Sequence, residues 1–346
     1  MAEPRRPRQR ILQVHPLLRC NLRCGHCYSD SSPAQRAELP LGALRQTIEE
    51  AAALGYETLA LSGGEPFLWD GLVELAAAAR SLGLRVTVTT NGTVVNDALV
   101  DRVAPVVDAV AVSIDGPEAV HNDLRAAPWA YERMLAGVEV LRRRGIPFGF
   151  IHTLTTRGVE HLPEVADVAA AEGGRLLQIH PLELTGRAAA LVRGQRPAPT
   201  DLSRAFAVTL ALRLAFEGTL TVQLDAHRVA DLVADPWLAH ADDADGAADP
   251  VVEADRLGTL VVEADGTIVP LAHSFGRRFA VGTIFDDGPS NGLYQGWARW
   301  VEDRHGAFTA LARSALDRVA DDPSTKVIAW LEHLTHTSRE LIPTSR

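Results

Sequence analysis

From residue 11 to about residue 180, apolar runs of four to seven residues alternate with longer amphipathic stretches. That alternation constrains the fold more than any other feature. Parallel strands need helix-sized crossovers, so it specifies βα units around a parallel sheet. Residues 11–15 read as the first strand. A helix over 41–54 ends at Gly55 and leads to a strand at 58–62, and a helix over 72–82, stopped by Gly83, leads to a strand at 85–90. The helix at 97–103 precedes a strand at 109–114, and the helix at 131–144, ended by Gly145, precedes a strand at 148–154. Segments 160–171 and 176–180 supply the sixth pair. Six units are two fewer than a closed eight-unit barrel requires.

The remaining chain reads differently. Residues 186–200, rich in Arg, Ala, Gly and Pro, form a connector, followed by a helix over 202–216 and a strand at 220–224. An acidic stretch at 239–250 carries Asp242, Asp243, Asp245 and Asp249 and reads as a solvated loop, with a metal or substrate role as the alternative. A small C-terminal unit follows, with a hairpin around Asp265-Gly266, a strand near 280–284 and helices over about 292–339. The division expected is 1–190 for the α/β unit, 191–250 for the connector and 251–346 for the C-terminal domain.

Three cysteines, Cys20, Cys24 and Cys27, fall within eight residues and are the only ones in the chain. A CxxxCxxC spacing lets three thiolates reach three corners of a [4Fe–4S] cubane and leaves the fourth iron open to a ligand. Structural zinc is the competing reading and needs a fourth ligand, which His26 or His15 would supply. Buried inert thiols are the third.

Around this motif the chain resembles the radical S-adenosylmethionine (SAM) superfamily. The resemblance implies an open partial (β/α)6 TIM-like barrel and a single [4Fe–4S] cluster whose open iron chelates the methionine end of SAM. Reductive cleavage of SAM would then give a 5′-deoxyadenosyl radical that abstracts hydrogen from a substrate C–H bond. An external electron donor such as flavodoxin or ferredoxin is implied as partner.

Further motifs carry the same resemblance, each at a strand end, where parallel α/β folds gather their ligands. Ser62-Gly63-Gly64-Glu65-Pro66 resembles the GGE turn whose backbone meets the SAM amino group, with Glu65 orienting that group or holding the loop. Only glycine lets a backbone come that close to a ligand. Asn91, in Thr89-Thr90-Asn91-Gly92-Thr93, and Ser113 and Asp115, in Ser113-Ile114-Asp115-Gly116-Pro117, resemble rims that serve the SAM carboxylate and ribose. Turn chemistry is the plainer role of Asn-Gly and Asp-Gly. His180 and His152 end later strands, and Leu184-Thr185-Gly186-Arg187-Ala188 resembles the exit from such barrels. His180, His152 and Arg187 are candidate contacts to SAM or substrate, a guanidinium being suited to a carboxylate, with a buried strand histidine bonded to backbone as the plainer role of His180. Tyr28 and His26 sit in or beside the cysteine loop, where the family packs adenine.

Residues 260–271 and 279–284 resemble parts of SPASM domains, which are found on radical SAM enzymes that modify peptides and carry auxiliary clusters. Leu271 stands where those domains place a cysteine, and no cysteine follows Cys27. The expectation is a degenerate SPASM-like domain without a second cluster. The first strand begins so early that no room is expected for a leader-binding domain before it, so a partner protein or the C-terminal unit is expected to hold a peptide substrate.

Composition sets the remaining limits. A chain of 346 residues, 47% hydrophobic and 23% charged, buries a sizeable core. Its net charge of −10 argues against a dedicated nucleic-acid binder. No apolar run reaches the length of a membrane span, and the basic start lacks a signal-peptide core, so a cytoplasmic setting is expected. Maturation of a ribosomally made peptide is the favoured role. Radical chemistry on a sugar or amino-acid derivative is the alternative, and a non-catalytic Fe–S regulator the minor one.

Overall fold

Hydrophobic alternation turns directly into sheet geometry in the computed structural model, which describes residues 8–241, 257–285 and 292–340. The parallel strands are β1 (Ile11–Val14), β2 (Thr58–Leu61), β3 (Arg85–Thr90), β4 (Ala109–Ser113), β5 (Phe148–Leu154) and β6 (Leu176–Pro181). Helices α1 (Leu41–Ala53), α2 (Leu72–Ser81), α3 (Asp97–Val103), α4 (Glu118–Arg125), α5 (Ala130–Arg143) and α6 (Leu162–Ala171) lie between them. Gly55 and Gly83 follow α1 and α2 with φ of +83°, the left-handed turn that releases the chain into the next strand.

On one face of the strands Leu12, Val14, Leu59, Leu61, Val86, Val88, Val110, Val112, Leu177 and Ile179 are buried. Each such side chain stabilises the fold by about 1.5–3 kcal/mol. The other face is small and polar. Gln13, Ala60, Thr87, Thr89, Ala111, Ser113, Thr153, Gln178 and His180 are only half-buried and line a lumen. A parallel sheet normally buries both faces, so a half-open polar face marks a ligand-sized space. The expected α/β partial barrel is present.

Four strands extend the sheet beyond the six expected. β7 (Thr221–Leu224) adds in parallel to β6, and β9 (Thr259–Val262) adds in parallel to β1, after the short strand β8 (His227–Arg228). β10 (Thr267–Pro270) and β11 (Gly282–Thr283) then continue antiparallel, giving the order β11-β10-β9-β1-β2-β3-β4-β5-β6-β7. Helix α4 has no counterpart in the sequence reading. Its apolar positions are few, and Leu124 with the buried polar His121 and Arg125 carries its inner face. Helices Leu293–Asp303, His305–Ala320 and Trp330–Glu340 pack behind the hairpin around Trp297, Trp300, Phe275, Phe279 and Phe308, all almost fully buried. Asp242, Asp243, Asp245 and Asp249 lie outside the described residues. Among the described residues, no helix is long and apolar enough to cross a membrane.

Candidate functional site

The loop from β1 to α1 carries the cysteines and is fastened to itself and to β2. Bridges Leu17–Glu38 and Arg19–Ser32 fold it into a flap. The amides of Gly64 and Glu65 then donate to Leu17 O at 2.9 Å and Arg19 O at 3.0 Å. Cys20 Sγ accepts from Leu22 N at 3.4 Å and Asn91 Nδ2 at 3.8 Å. Cys27 Sγ accepts from Ser31 N at 3.3 Å and meets Ser29 Oγ at 3.5 Å. Burial pushes the Cys20 thiol up to about 12 and raises that of Cys24, even with Arg125 and Arg187 nearby. Those two thiols therefore hold their protons until a metal centre displaces them.

Does this donor set fit a cluster? Among the described residues, no three His, Cys, Asp or Glu side chains converge on one ion. His26 gives Nδ1 to Leu124 O at 3.2 Å and lies 3.4 Å from Asp115 through Nε2, while His15 accepts from the Gln13 amide at 2.8 Å. Both nitrogens of His26 thus have other partners, whereas His15 is engaged through Nε2 and its Nδ1 is buried without a hydrogen-bond partner. Three soft sulfurs that do not close on one ion, two of them facing N–H donors, fit a cluster with each thiolate on a different iron.

The strand-end motifs meet this loop. Glu65 is fully buried; Oε1 accepts from Thr90 Oγ1 at 2.8 Å and Phe67 N at 3.2 Å, and Oε2 from Asn91 N at 2.9 Å. Burial raises its carboxyl to about 7, so it joins the ends of β2 and β3 rather than presenting a free charge. Asn91 bonds Asn21 Oδ1 at 2.9 Å and accepts from Thr93. Asp115, also buried, accepts from Arg125 Nε at 2.7 Å and Thr153 N at 3.2 Å. Burial opposes its charge, but the Arg125 guanidinium prevails and holds the carboxyl well below the usual range. Arg125 was missed by sequence reading; its signal is the Asp-Gly rim ten positions earlier, whose buried carboxylate requires a cation.

Arg187 is placed elsewhere than a ligand clamp would be. Its Nε donates to Cys24 O at 2.8 Å, Nη2 to Ser31 O at 2.7 Å, and Nη1 pairs with Asp30 at 2.6 Å. The guanidinium braces the cysteine loop. Tyr28 turns its hydroxyl to Ser62 Oγ at 3.1 Å, and its ring meets His273 edge-on at 5.0 Å. His273, which stacks on His15 at 5.1 Å, brings the C-terminal hairpin into the mouth. Ser113 lies half-exposed on the lumen face, whereas Gly63 carries φ of +106° in the turn. His152 is buried and bonds Ile114 O at 3.0 Å. His180 pairs through Nδ1 with Asp225 at the β6–β7 side of the lumen. Asp225 also escaped sequence reading, although it too follows a strand end. A cavity of about 580 Å³ lined by Pro181, Leu182, Glu332 and His333 holds none of the cysteines.

Comparison with known proteins adds the family. The radical SAM superfamily profile matches residues 14–169. Over 171 residues the chain is 40% identical to the pre-heme d1 synthase of Dinoroseobacter shibae, covering 49% of this chain and 42% of that protein. An AdoMet-dependent heme synthase of Methanosarcina barkeri is 37% identical over 171 residues, 49% of each chain. The chain thus spans about half the length of the curated relatives it matches. Among solved structures, Streptococcus suis SuiB bound to precursor peptide SuiA aligns with a TM-score of 0.64 at 16% identity, over 87% of this chain and 66% of that one. At that identity the likeness is one of fold. Residues 14–169 belong to the radical SAM superfamily, enzymes that use a [4Fe–4S] cluster and S-adenosylmethionine.

Proposed function

We propose that this chain is a radical SAM enzyme in which Cys20, Cys24 and Cys27 hold one [4Fe–4S] cluster and the strand-end rims receive SAM. When bound, the pair supplies a 5′-deoxyadenosyl radical for hydrogen abstraction from an unactivated C–H bond. The observation that carries the reading is Asn91, whose amide reaches Cys20 Sγ while its backbone is tied to Glu65 of the glycine turn. One residue thus couples the cysteine loop to two rims. Gly63, Gly64, Ser113 and Tyr28 are assigned to SAM. Asn91, Glu65 and Asp115 order the rims, Arg187 keeps the cysteine loop in register, and His180 stands opposite, on the lumen side.

The substrate enters the polar lumen. A ribosomally made peptide is the first reading, supported by the fold shared with SuiB in complex with its precursor peptide. A small molecule is the second, favoured by the higher identity to a protein named pre-heme d1 synthase. Half-exposed Thr87, Thr89, Ser113 and Thr153 suit a substrate rich in hydrogen-bonding groups.

Anaerobic reconstitution with iron and sulfide, followed by SAM and dithionite, tests the reading. About four irons per chain and 5′-deoxyadenosine that vanishes in Cys24→Ala are expected. One zinc and no SAM cleavage would overturn it, and about eight irons would overturn the single cluster. Deuterium transfer into 5′-deoxyadenosine from labelled peptides or labelled small molecules separates the two substrate readings.

A further inference from the structure

We propose that His180 exchanges a proton with the substrate at the mouth of the lumen, held for that task by Asp225 and Gln178. The inference rests on the reading above, that the lumen receives the substrate. Its basis is strand register. Along β6, Leu177 and Ile179 are buried beneath the sheet while Gln178 and His180 face the lumen. Leu224 of β7 pairs with Ile179, and the amide of Asp225 donates to Ile179 O at 2.9 Å. Asp225 is therefore fixed beside His180 by backbone alone.

Its carboxylate then has two partners. Gln178 Nε2 donates to Oδ1 at 2.5 Å, and His180 Nδ1 pairs with Oδ2. The pairing assigns the proton to Nδ1 and leaves Nε2 as the ring's free nitrogen. The His180 side chain keeps 43% of its surface accessible, so the ring can be reached from outside. Other charged groups nearby are Glu183, which follows β6, His227 of β8, and Glu332 and Arg339 of helix Trp330–Glu340. Burial alone would lower the imidazole's basicity, but Asp225 outweighs it and raises the group above its ordinary value.

The chemistry follows from that arrangement. A neutral imidazole takes a proton at Nε2 from a substrate O–H or N–H. The X–H bond breaks, the new N–H bond forms, the electron pair remains on X, and Asp225 stabilises the imidazolium. No electron is transferred. A hydroxyl or amine attached to a carbon that has lost a hydrogen atom is more acidic than before, so the base faces where acidity would rise. The substrate class is one bearing a hydroxyl, amide or amine beside the attacked C–H bond.

Acylation of His180 by diethyl pyrocarbonate in the full chain, read by peptide mass against pH, tests the geometry without iron or SAM. It therefore fails or holds independently of the assay above. The folded chain should acylate at His180 with a midpoint above that of the same peptide in urea, and Asp225→Asn should bring it to or below the urea value. An unreactive His180, or a midpoint unmoved in Asp225→Asn, overturns the dyad. On the substrate found by deuterium transfer, His180→Gln should cut turnover about 100-fold. Turnover at the wild-type rate in that variant overturns the proton exchange.

Discussion

Arg187 shows how a single side chain can look like a ligand contact in sequence and act as a brace in the fold. Its motif position and its fitness for carboxylates both point toward SAM. The structure instead gives it two backbone carbonyls and Asp30, all on the cysteine loop and roughly 160 positions away in sequence. No local pattern encodes a contact at that separation. Each of the two bonds to the loop carbonyls contributes about 1.5–3 kcal/mol, and a lysine, whose three donors radiate from one nitrogen, cannot span acceptors that the guanidinium reaches through three separate nitrogens. Arg187→Lys should fold with unchanged far-ultraviolet circular dichroism but retain less than half the wild-type iron after desalting. Asp30→Asn should retain nearly all of it, because the Asp30 side chain is 62% exposed and the two carbonyl bonds remain. Equal iron in wild type and Arg187→Lys would remove the bracing role. The cysteines stand out by their spacing, which points to a soft-metal site and leaves the choice between cluster and zinc to the motifs downstream.

Whole elements were more legible than contacts, and where they were not, the reason is packing. The six βα units announce themselves because each outer strand face is continuously apolar. β7 was read as a strand but not as a continuation of the barrel, since the sequence 220–224 does not say which edge it joins. The glycine turn after β2 was legible as a close approach, but what approaches was not. An added Cβ on Gly64 would lie 2.2 Å from Arg19 O, a backbone atom that cannot swing away. The turn and the cysteine flap must separate to admit it. Gly64→Ala should cost about 2–3 kcal/mol and lower the thermal midpoint by about 5 °C. It should also weaken SAM binding to the reconstituted protein, measured by equilibrium dialysis. Gly83→Ala isolates the other cost: Gly83 carries φ of +83° with nothing within 4 Å of the added Cβ, so only backbone strain is expected there, whereas Gly64 lies outside the left-handed region and its cost is contact. An unchanged thermal midpoint in Gly64→Ala would mean that the flap moves aside at no cost and does not hold the turn.

At the scale of the molecule, the C-terminal segment is part of the barrel's own sheet. The sequence announces a hairpin at 260–271 but not its parallel pairing with β1, because pairing across about 250 positions leaves no periodic trace. The register Ile11–Thr259 to Val14–Val262 is continuous, and it is extended by Ile11 N to Gly258 O and His15 N to Val262 O, each at 2.9 Å. Removing β9 would leave β1 as a bare edge directly before the cysteine loop, an edge of the kind that recruits other chains. It would also uncover His15, which His273 stacks upon, and Tyr28, which His273 meets edge-on. A chain truncated after residue 250 is therefore expected to aggregate rather than yield a stable monomer. Size-exclusion chromatography with light scattering reads this directly. A monomeric truncated chain that binds iron like the full protein would show that the barrel closes its own edge and that the hairpin is dispensable to the site. Loss of the monomer together with loss of iron binding would show that β9, distant in sequence, is a wall of the cysteine loop's foundation.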